Sequence, residues 1–237
     1  MLTLRPAQER GHAEFGWLSA RHSFSFGHYF DPRFTGFSDL LVINDDRIAP
    51  GGGFPMHGHR DMEIITWILE GELEHQDSMG HRARVVPGEV QYMRAGSGVR
   101  HSEYNASAQD SLRLLQIWIQ PQTLGLTPTY QQIAFSAEEL HNRLHCIAAP
   151  HPTHRSVTLA QDAYLYAGRF EAGVAWQHTL AMGRCAYLQL ARGELVVNGI
   201  AMQEGDGLFV EQETQLDLLA EHAAEALLFD LRHAPQS

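Results

Sequence analysis

Short apolar segments with β-branched or alternating character run along the whole chain. Three clear ones are residues 39–44 (DLLVIN), 62–69 (MEIITWIL) and 112–120 (LRLLQIWIQ). Residues 71–86 read as a hairpin, with two arms on either side of the short turn Ser78-Met79-Gly80. Many short strands separated by glycine-containing turns are typical of sandwiches and barrels. The pattern therefore predicts an all-β protein.

The second half of the chain repeats the rhythm of the first. The hairpin that begins at Gly71 with the letters GEL is echoed at Gly193, and the second hairpin has the turn Asn198-Gly199. Each half also ends in an apolar strand, at residues 114–119 and 226–231. We infer an internal duplication of one β-unit.

The boundary between the two units is predicted near residue 135. The sequence Ser136-Ala-Glu-Glu139 is a capping box, which predicts a short helix through about Arg143. The loop 148–154 (AAPHPTH), with two prolines, follows it. We therefore place an N-terminal domain at residues 1–135 and a C-terminal domain at residues 136–237, joined by a short helical linker.

Composition excludes several functions. The 237 residues include 17 arginines, no lysine, 28 acidic residues and 15 histidines, for a net charge of -11. Such an acidic chain is unsuited to nucleic acid, whose phosphates attract clustered basic residues. Without lysine, the chain can form neither a Schiff base nor a P-loop.

The expected location is the cytoplasm. Cys146 and Cys185 are far apart and form no disulfide pattern, which favours a reducing compartment. The first 16 residues carry charges from Arg5 onward and have no apolar core of the kind that signal peptides need. Apolar runs such as 114–119 are too short to cross a membrane, so no membrane association is predicted.

Two histidine-containing pairs carry the candidate chemistry. His57 and His59 are two positions apart, as are His101 and Glu103. Since alternate side chains of a strand share one face, two facing strands could direct these four groups at one point. Three imidazoles and a carboxylate suit a divalent ion such as Fe(II), Mn(II), Ni(II) or Cu(II), and the lack of thiolates argues against a structural zinc site.

These segments resemble motifs of the cupin superfamily. Residues 51–63 (GGGFPMHGHRDME) are similar to the first cupin metal-binding motif and residues 96–105 (GSGVRHSEYN) to the second. Within the cupins, residues 15–119 closely resemble the pirin family, on the stretches 22–37, 40–80 and 95–105. The resemblance implies two tandem cupin barrels, which are double-stranded β-helices of the jelly-roll type.

The pirin resemblance also implies a metal site and an activity. It makes His57, His59, His101 and Glu103 the ligands of one divalent ion per chain. We expect Fe(II), with Mn, Ni, Cu, Co and Zn as alternatives. Bacterial pirins similar to this chain are associated with quercetin 2,3-dioxygenase chemistry, in which O₂ cleaves a flavonol ring and carbon monoxide is released. Glu103 is then the expected catalytic base.

The same resemblance leaves a second function open. Some pirins resemble non-enzymatic, iron-binding regulatory modules that bind a protein partner. For the enzyme, we expect a planar flavonol-like substrate, O₂ and a monomeric chain.

Glu63 occupies the usual cupin glutamate position, and we expect it to hold an imidazole or an arginine instead of the metal.

The remaining histidines are predicted to have no role in the site. His75 and His81 flank the hairpin turn, where we expect them to be solvated. In the second half, the positions that match the histidine pair fall near residues 179–181, and those that match His101 fall near residues 216–219. Neither segment contains a histidine, so the C-terminal domain is expected to be metal-free.

Overall fold

The computed structural model describes residues 1–151 and 155–233, which form two compact units. Of these described residues, the N-terminal barrel comprises 11–134 and 159–161, and the C-terminal barrel comprises 1–10, 135–151, 155–158 and 162–233. Strands dominate both units, which confirms the all-β prediction. The end of the predicted junction loop, residues 152–154, lies outside the described residues.

The C-terminal barrel includes the first strand of the chain, β1 (Leu2–Arg5). The strands of the N-terminal barrel are β2 (Gly11–Glu14), β3 (Leu18–His22), β4 (Leu40–Ile48), β5 (Gly53–His59), β6 (Glu63–Glu70), β7 (Leu73–Asp77), β8 (Arg82–Val85), β9 (Glu89–Arg94), β10 (Val99–Asn105), β11 (Leu112–Ile119) and β12 (Thr129–Ala134). They form a seven-stranded and a four-stranded antiparallel sheet, in the orders β12-β9-β6-β11-β4-β3-β2 and β5-β10-β7-β8.

An apolar core fills one part of the N-terminal barrel. Ile48, Ile68 and Leu114 of the seven-stranded sheet form one buried cluster with Leu73 and Val85 of the four-stranded sheet. Because side chains alternate between the two faces of a strand, every second residue of these strands points into the barrel. The predicted hairpin at residues 71–86 is confirmed as β7 paired with β8.

The C-terminal barrel repeats this arrangement of seven and four strands, in the orders β1-β20-β17-β22-β15-β13-β14 and β16-β21-β18-β19. Its predicted turn at Asn198-Gly199 has positive φ angles of 47° and 82° and joins two paired strands. This is the geometry that makes Asn-Gly a strong hairpin signal. The remaining strands are β13 (His145–Ala149), β14 (Val157–Thr158), β15 (Ala163–Phe170), β16 (Ala175–Thr179), β17 (Arg184–Arg192), β18 (Glu194–Val197), β19 (Ile200–Gln203), β20 (Gly207–Val210), β21 (Gln215–Leu219) and β22 (Ala224–Arg232).

The strand β1 lies in a different unit from the one that the predicted domain boundary gives it. It pairs antiparallel with β20, with Leu2 opposite Val210 and Arg5 opposite Gly207. Residues 1–10 therefore belong to the C-terminal barrel, whereas the sequence assigns residues 1–135 to one domain. The segment 159–161 crosses in the opposite sense and belongs to the N-terminal barrel.

The predicted linker helix is present but short. Helix α1 (Ala137–Leu140) begins with a complete capping box, in which the Ser136 side chain accepts from the Glu139 amide and the Glu139 carboxylate accepts from the Ser136 amide. The helix ends three residues before the predicted Arg143, because His141 is extended and Asn142 has a φ of 55°. No helix among the described residues has the length and apolar character needed to span a membrane.

Candidate metal centre

Two paired strands of the four-stranded sheet carry the predicted ligands. Strands β5 and β10 run antiparallel with His57 directly opposite His101, and His59 lies opposite Val99. The register shifts between His101 and Glu103. His101 and Glu103 are each 1% exposed, so both side chains point into the barrel as the alternation predicts.

Three imidazoles form a compact cluster. Ligand atoms of His57, His59 and His101 all lie within 4.8 Å of one another. The Nε2 atoms of His57 and His101 are 3.1 Å apart, and the Nδ1 of His57 lies 2.8 Å from the carbonyl oxygen of Pro55. Since Nδ1 of His57 donates its proton to that carbonyl, its Nε2 keeps a free lone pair that faces the other rings.

The cluster has the unsatisfied nitrogen that a metal site requires. The Nε2 of His59 is buried and has no hydrogen-bond partner among the described residues. Buried polar atoms are normally paired, so an orphaned imidazole nitrogen beside two others points to a missing ligand. Metal-binding histidines also commonly donate their second nitrogen to a carbonyl, as His57 does.

The electrostatics of the site favour the neutral form of two of its imidazoles, His59 and His101. Burial, together with the neighbouring imidazoles, lowers the pKa of His59 to about 4. Burial likewise lowers the pKa of His101 to about 4, and the nearby Glu103 carboxylate opposes this effect. A neutral imidazole has the lone pair that a cation binds, so these residues fit a metal ion at neutral pH.

Glu103 lies in an overlapping cluster. Its carboxylate groups with His101 and His75, again with ligand atoms within 4.8 Å of one another. Gln91 donates to Oε1 at 3.0 Å, and Gln116 donates to Oε2 at 2.8 Å. A carboxylate has about four lone-pair positions, so two amide hydrogen bonds leave it able to bind a cation.

The environment of Glu103 also favours its ionised form. Burial raises the pKa of the carboxyl, but the adjacent imidazoles of His101 and His75 and the two glutamine amides outweigh this effect. The pKa of Glu103 therefore lies below its ordinary value. The ionised carboxylate of Glu103 thus lies in a buried cluster with two imidazoles.

The prediction that His75 is solvated is wrong. His75 is fully buried, its ring stacks on Tyr130 with centroids 4.9 Å apart, and its Nδ1 lies 4.0 Å from Oε1 of Glu103. Its Nε2 lies 3.3 Å from Asp77, whose carboxylate also binds the half-exposed His81. The alternation of Leu73, His75 and Asp77 on β7 places all three inside the barrel, and this pattern is visible in the sequence.

The expected role of Glu63 is also wrong. Its Oε1 accepts hydrogen bonds from the hydroxyl of Tyr92 at 2.5 Å and from the backbone amide of Ala160 at 2.6 Å. Glu63 thus ties the returning segment 159–161 to the N-terminal barrel, and within residues 1–151 and 155–233 its carboxylate accepts a hydrogen bond from neither an imidazole nor an arginine.

A cavity of about 720 Å³ opens beside the histidine cluster. His57 and His59 form part of its wall, together with the aromatic side chains of Phe26, Tyr29 and Trp118. Trp118 packs edge-on against both His59 and Phe26, at centroid distances of 5.1 and 5.3 Å. The size and the mostly apolar walls are those of a small-molecule site.

The C-terminal barrel pairs the matching strands in the same way but carries different side chains on them. β16 pairs with β21 as β5 pairs with β10, and His178 lies opposite Leu216. The partly buried ring of His178 packs against Tyr166. His178 precedes the segment 179–181 that the sequence matches to the histidine pair. Both clusters of potential metal ligands found among the described residues lie in the N-terminal barrel.

Comparison with known proteins agrees with this geometry. Residues 3–119 match the family model Pirin, and residues 146–231 match the model described as the quercetinase C-terminal cupin domain. The chain is 45% identical over 231 residues to the quercetin 2,3-dioxygenase of Escherichia coli strain K12, covering 98% of this chain and 99% of the relative. The chain belongs to the pirin family.

Solved structures similar in sequence to this chain have the same fold. The crystal structure of YhhW from Escherichia coli has a TM-score of 0.95 at 43% identity and covers both chains completely. The bacterial pirin YhhW in complex with nickel(II) has a TM-score of 0.94 at 43% identity, over 99% of this chain and all of that one. Two tandem cupin domains, as in other pirins, are thus confirmed.

Proposed function

We propose that this pirin is a metal-dependent quercetin 2,3-dioxygenase, which cleaves the flavonol ring with O₂ and releases carbon monoxide. The observation that carries the proposal is the convergence of the His57, His59 and His101 nitrogens beside an aromatic-walled cavity. The name quercetin 2,3-dioxygenase of the 45% identical relative supports it.

His57, His59 and His101 would hold the metal, and Glu103 would complete the set. His101 belongs to both clusters, so it joins the imidazole trio to the carboxylate. A bound divalent ion would polarise a substrate oxygen and make the redox chemistry with O₂ accessible. We propose Fe(II), with Mn, Ni, Cu, Co and Zn as alternatives, because imidazole and carboxylate donors accept all of these ions.

Glu103 would act as the base that takes the proton of the flavonol 3-hydroxyl. It is the one carboxylate in the two clusters, and its low pKa keeps it ionised and able to accept. Gln91 and Gln116 hold one oxygen each, which fixes the orientation of the carboxylate towards the site. A proton acceptor in a fixed position contributes about 10²–10⁴-fold to a rate.

The cavity walls would hold the planar substrate and exclude water. Phe26, Tyr29, Phe54 and Trp118 give it apolar aromatic surfaces against which flat rings can pack. A dry site strengthens the electrostatic interactions of the deprotonated flavonol with the groups around it. The edge-on contact of Trp118 with His59 links the wall directly to the proposed ligands.

Oxygen uptake and carbon monoxide release with quercetin test the proposal. Protein purified without an affinity tag is assayed as isolated, after chelation, and after reconstitution with each candidate metal. We expect turnover that disappears on chelation and returns with at least one metal. Turnover that survives complete metal removal would contradict the metal-dependent mechanism. No turnover with any of the metals would instead favour a regulatory module of the pirin type.

A further inference from the structure

One carboxylic acid in the cavity wall is out of place among its neighbours. Four neighbouring strands, β3, β4, β11 and β6, each contribute one residue to a row of side-by-side positions. These residues are Ala20, Asp46, Leu114 and Ile68, and each is no more than 2% exposed. The other three belong to the apolar core cluster, so Asp46 is the single polar member of this row. Local conflicts of this kind are expected at functional positions.

The neighbouring row shows that the polar groups beside Asp46 are already engaged. His22, Asn44 and Gln116 are in register one row away, about 7 Å along the strands. His22 is hydrogen-bonded to Asn44 at 2.7 Å, and Gln116 donates to Glu103. The hydrogen bonds of these side chains are thus made with each other and with Glu103 of the proposed metal centre.

Asp46, in contrast, has an unsatisfied oxygen. Its Oδ1 is buried and lacks a hydrogen-bond partner among the described residues. The preceding residue, Asp45, accepts a hydrogen bond from Arg113 at each of its two oxygens, both at 2.9 Å. A buried carboxyl without a partner is costly to the fold, and it persists where another molecule supplies the hydrogen bond.

The protonation of Asp46 fits this role. Burial, with the negative charges of Asp45 and Glu103, raises the pKa of Asp46 to about 8. A neutral carboxyl both donates and accepts a hydrogen bond, as a phenolic hydroxyl also does. The two groups can therefore pair in an apolar environment without leaving a charge unpaired.

Asp46 lines the same cavity as His57, His59 and Trp118. We propose that Asp46 determines substrate specificity, by hydrogen-bonding a ring hydroxyl of a polyhydroxylated aromatic substrate. The inference rests on the proposed function for the flavonol class of ligand. It adds the preference for hydroxyl groups on a ring that does not contact the metal.

Ligand binding to metal-loaded protein without O₂ tests this assignment. Quenching of the tryptophan fluorescence, to which Trp118 of the cavity contributes, reports the affinity for quercetin and for 3-hydroxyflavone, which lacks the ring hydroxyls. In Asp46→Leu, we expect quercetin to bind about tenfold more weakly or worse, and 3-hydroxyflavone to bind within twofold of the wild type. Asp46→Asn, which retains a donor and an acceptor, should lose less affinity for quercetin than Asp46→Leu does.

Three results would overturn the assignment. They are an unchanged affinity of Asp46→Leu for quercetin, an equal loss for both ligands, and a wild type that binds neither ligand. The melting temperature separates folding from recognition, and Asp46→Leu should melt no lower than the wild type because leucine suits the apolar row. The two proposals can also be separated. If Asp46→Leu loses affinity for quercetin alone but the wild type does not turn over quercetin, the dioxygenase proposal is contradicted and the assignment of Asp46 stands.

Discussion

The Nε2 atoms of His57 and His101 face each other at 3.1 Å across two paired strands. Since the Nδ1 of His57 donates to a backbone carbonyl, at least one of these nitrogens presents a lone pair to the other ring. Two imidazoles held in this way, with a third unsatisfied nitrogen beside them, have the arrangement that the proposed metal site needs before a cation binds.

Removing one of these rings should remove the metal. We expect His57→Ala and His101→Ala each to lower metal affinity at least tenfold, because each loses one donor of the cluster. Metal analysis of tag-free protein, with a competing chelator, measures the change. His81→Ala is a suitable control, since His81 is half-exposed and lies outside both clusters. Equal metal content in all three variants would contradict the ligand assignment.

Glu103→Gln should separate catalysis from binding. The amide keeps the shape of the side chain but cannot act as the base, so we expect most of the metal to remain and turnover to fall about 10²–10⁴-fold. Metal content and oxygen uptake are measured on the same sample. Glu74→Gln, an exposed carboxylate on the neighbouring strand, provides the matched control and should keep full activity. Normal turnover in Glu103→Gln would exclude its role as the base.

Asp46 should make the protein less stable as the pH rises. Its folded pKa of about 8 is above the ordinary 3.8, so in this interval the native state holds a proton that the unfolded chain has released. The free energy of unfolding, relative to that of Asp46→Asn, should fall by about 1.4 kcal/mol per pH unit between about pH 4 and pH 8. Urea denaturation at several pH values measures the difference, and a difference that does not vary with pH would refute the raised pKa.

His59 and His101 should have the opposite effect in the metal-free protein. Their folded pKa values of about 4 lie below the ordinary 6.5, so the unfolded chain binds protons first as the pH falls. For each ring, the free energy of unfolding should fall by about 1.4 kcal/mol per pH unit as the pH is lowered from about 6.5 to about 4. Denaturation of chelated protein at pH 5 and pH 7 checks this. His59→Gln should reduce the pH dependence, and a variant with the full wild-type slope would count against the assignment.

The pairing of β1 should matter to the C-terminal barrel. Leu4 packs against the core of that barrel, while Thr3 on the same strand is exposed. We expect Leu4→Asp to destabilise the protein by on the order of 3 kcal/mol, because it places a charge against apolar side chains. Thr3→Asp should change stability by less than about 0.5 kcal/mol. Thermal unfolding compares the two variants, and equal melting temperatures would show that β1 contributes little to that core.

Much of the site could be predicted from local spacing. The x-His-x-His and His-x-Glu patterns lie on strands, where the period of two places the members of each pair on one face. The pairing of β5 with β10 then brings the two pairs to one region. Helix α1 was predictable for the same reason, since its capping box is a local interaction.

The parts that sequence reasoning missed depend on distant partners. His75 was assigned to solvent because it flanks a turn, although its alternation with Leu73 indicates an inward position. Asp46 stands in the run Asn44-Asp45-Asp46, which looks like the polar end of a strand, yet β4 continues to Ile48. The pairing of β1 with β20 joins residues about 200 positions apart, and no short-range pattern encodes such a pairing.

That pairing has a consequence for biosynthesis. β1 is synthesised long before its partner β20, which follows some 200 residues later, and at about 5–20 residues per second this is a delay of roughly 10–40 s. The N-terminal barrel can be synthesised through residue 134 during this time, while residues 1–10 wait without their partner. Residues 1–10 can therefore take their place only after β20 has been synthesised, and a fragment cut between residues 135 and 136 would separate β1 from the barrel that it completes.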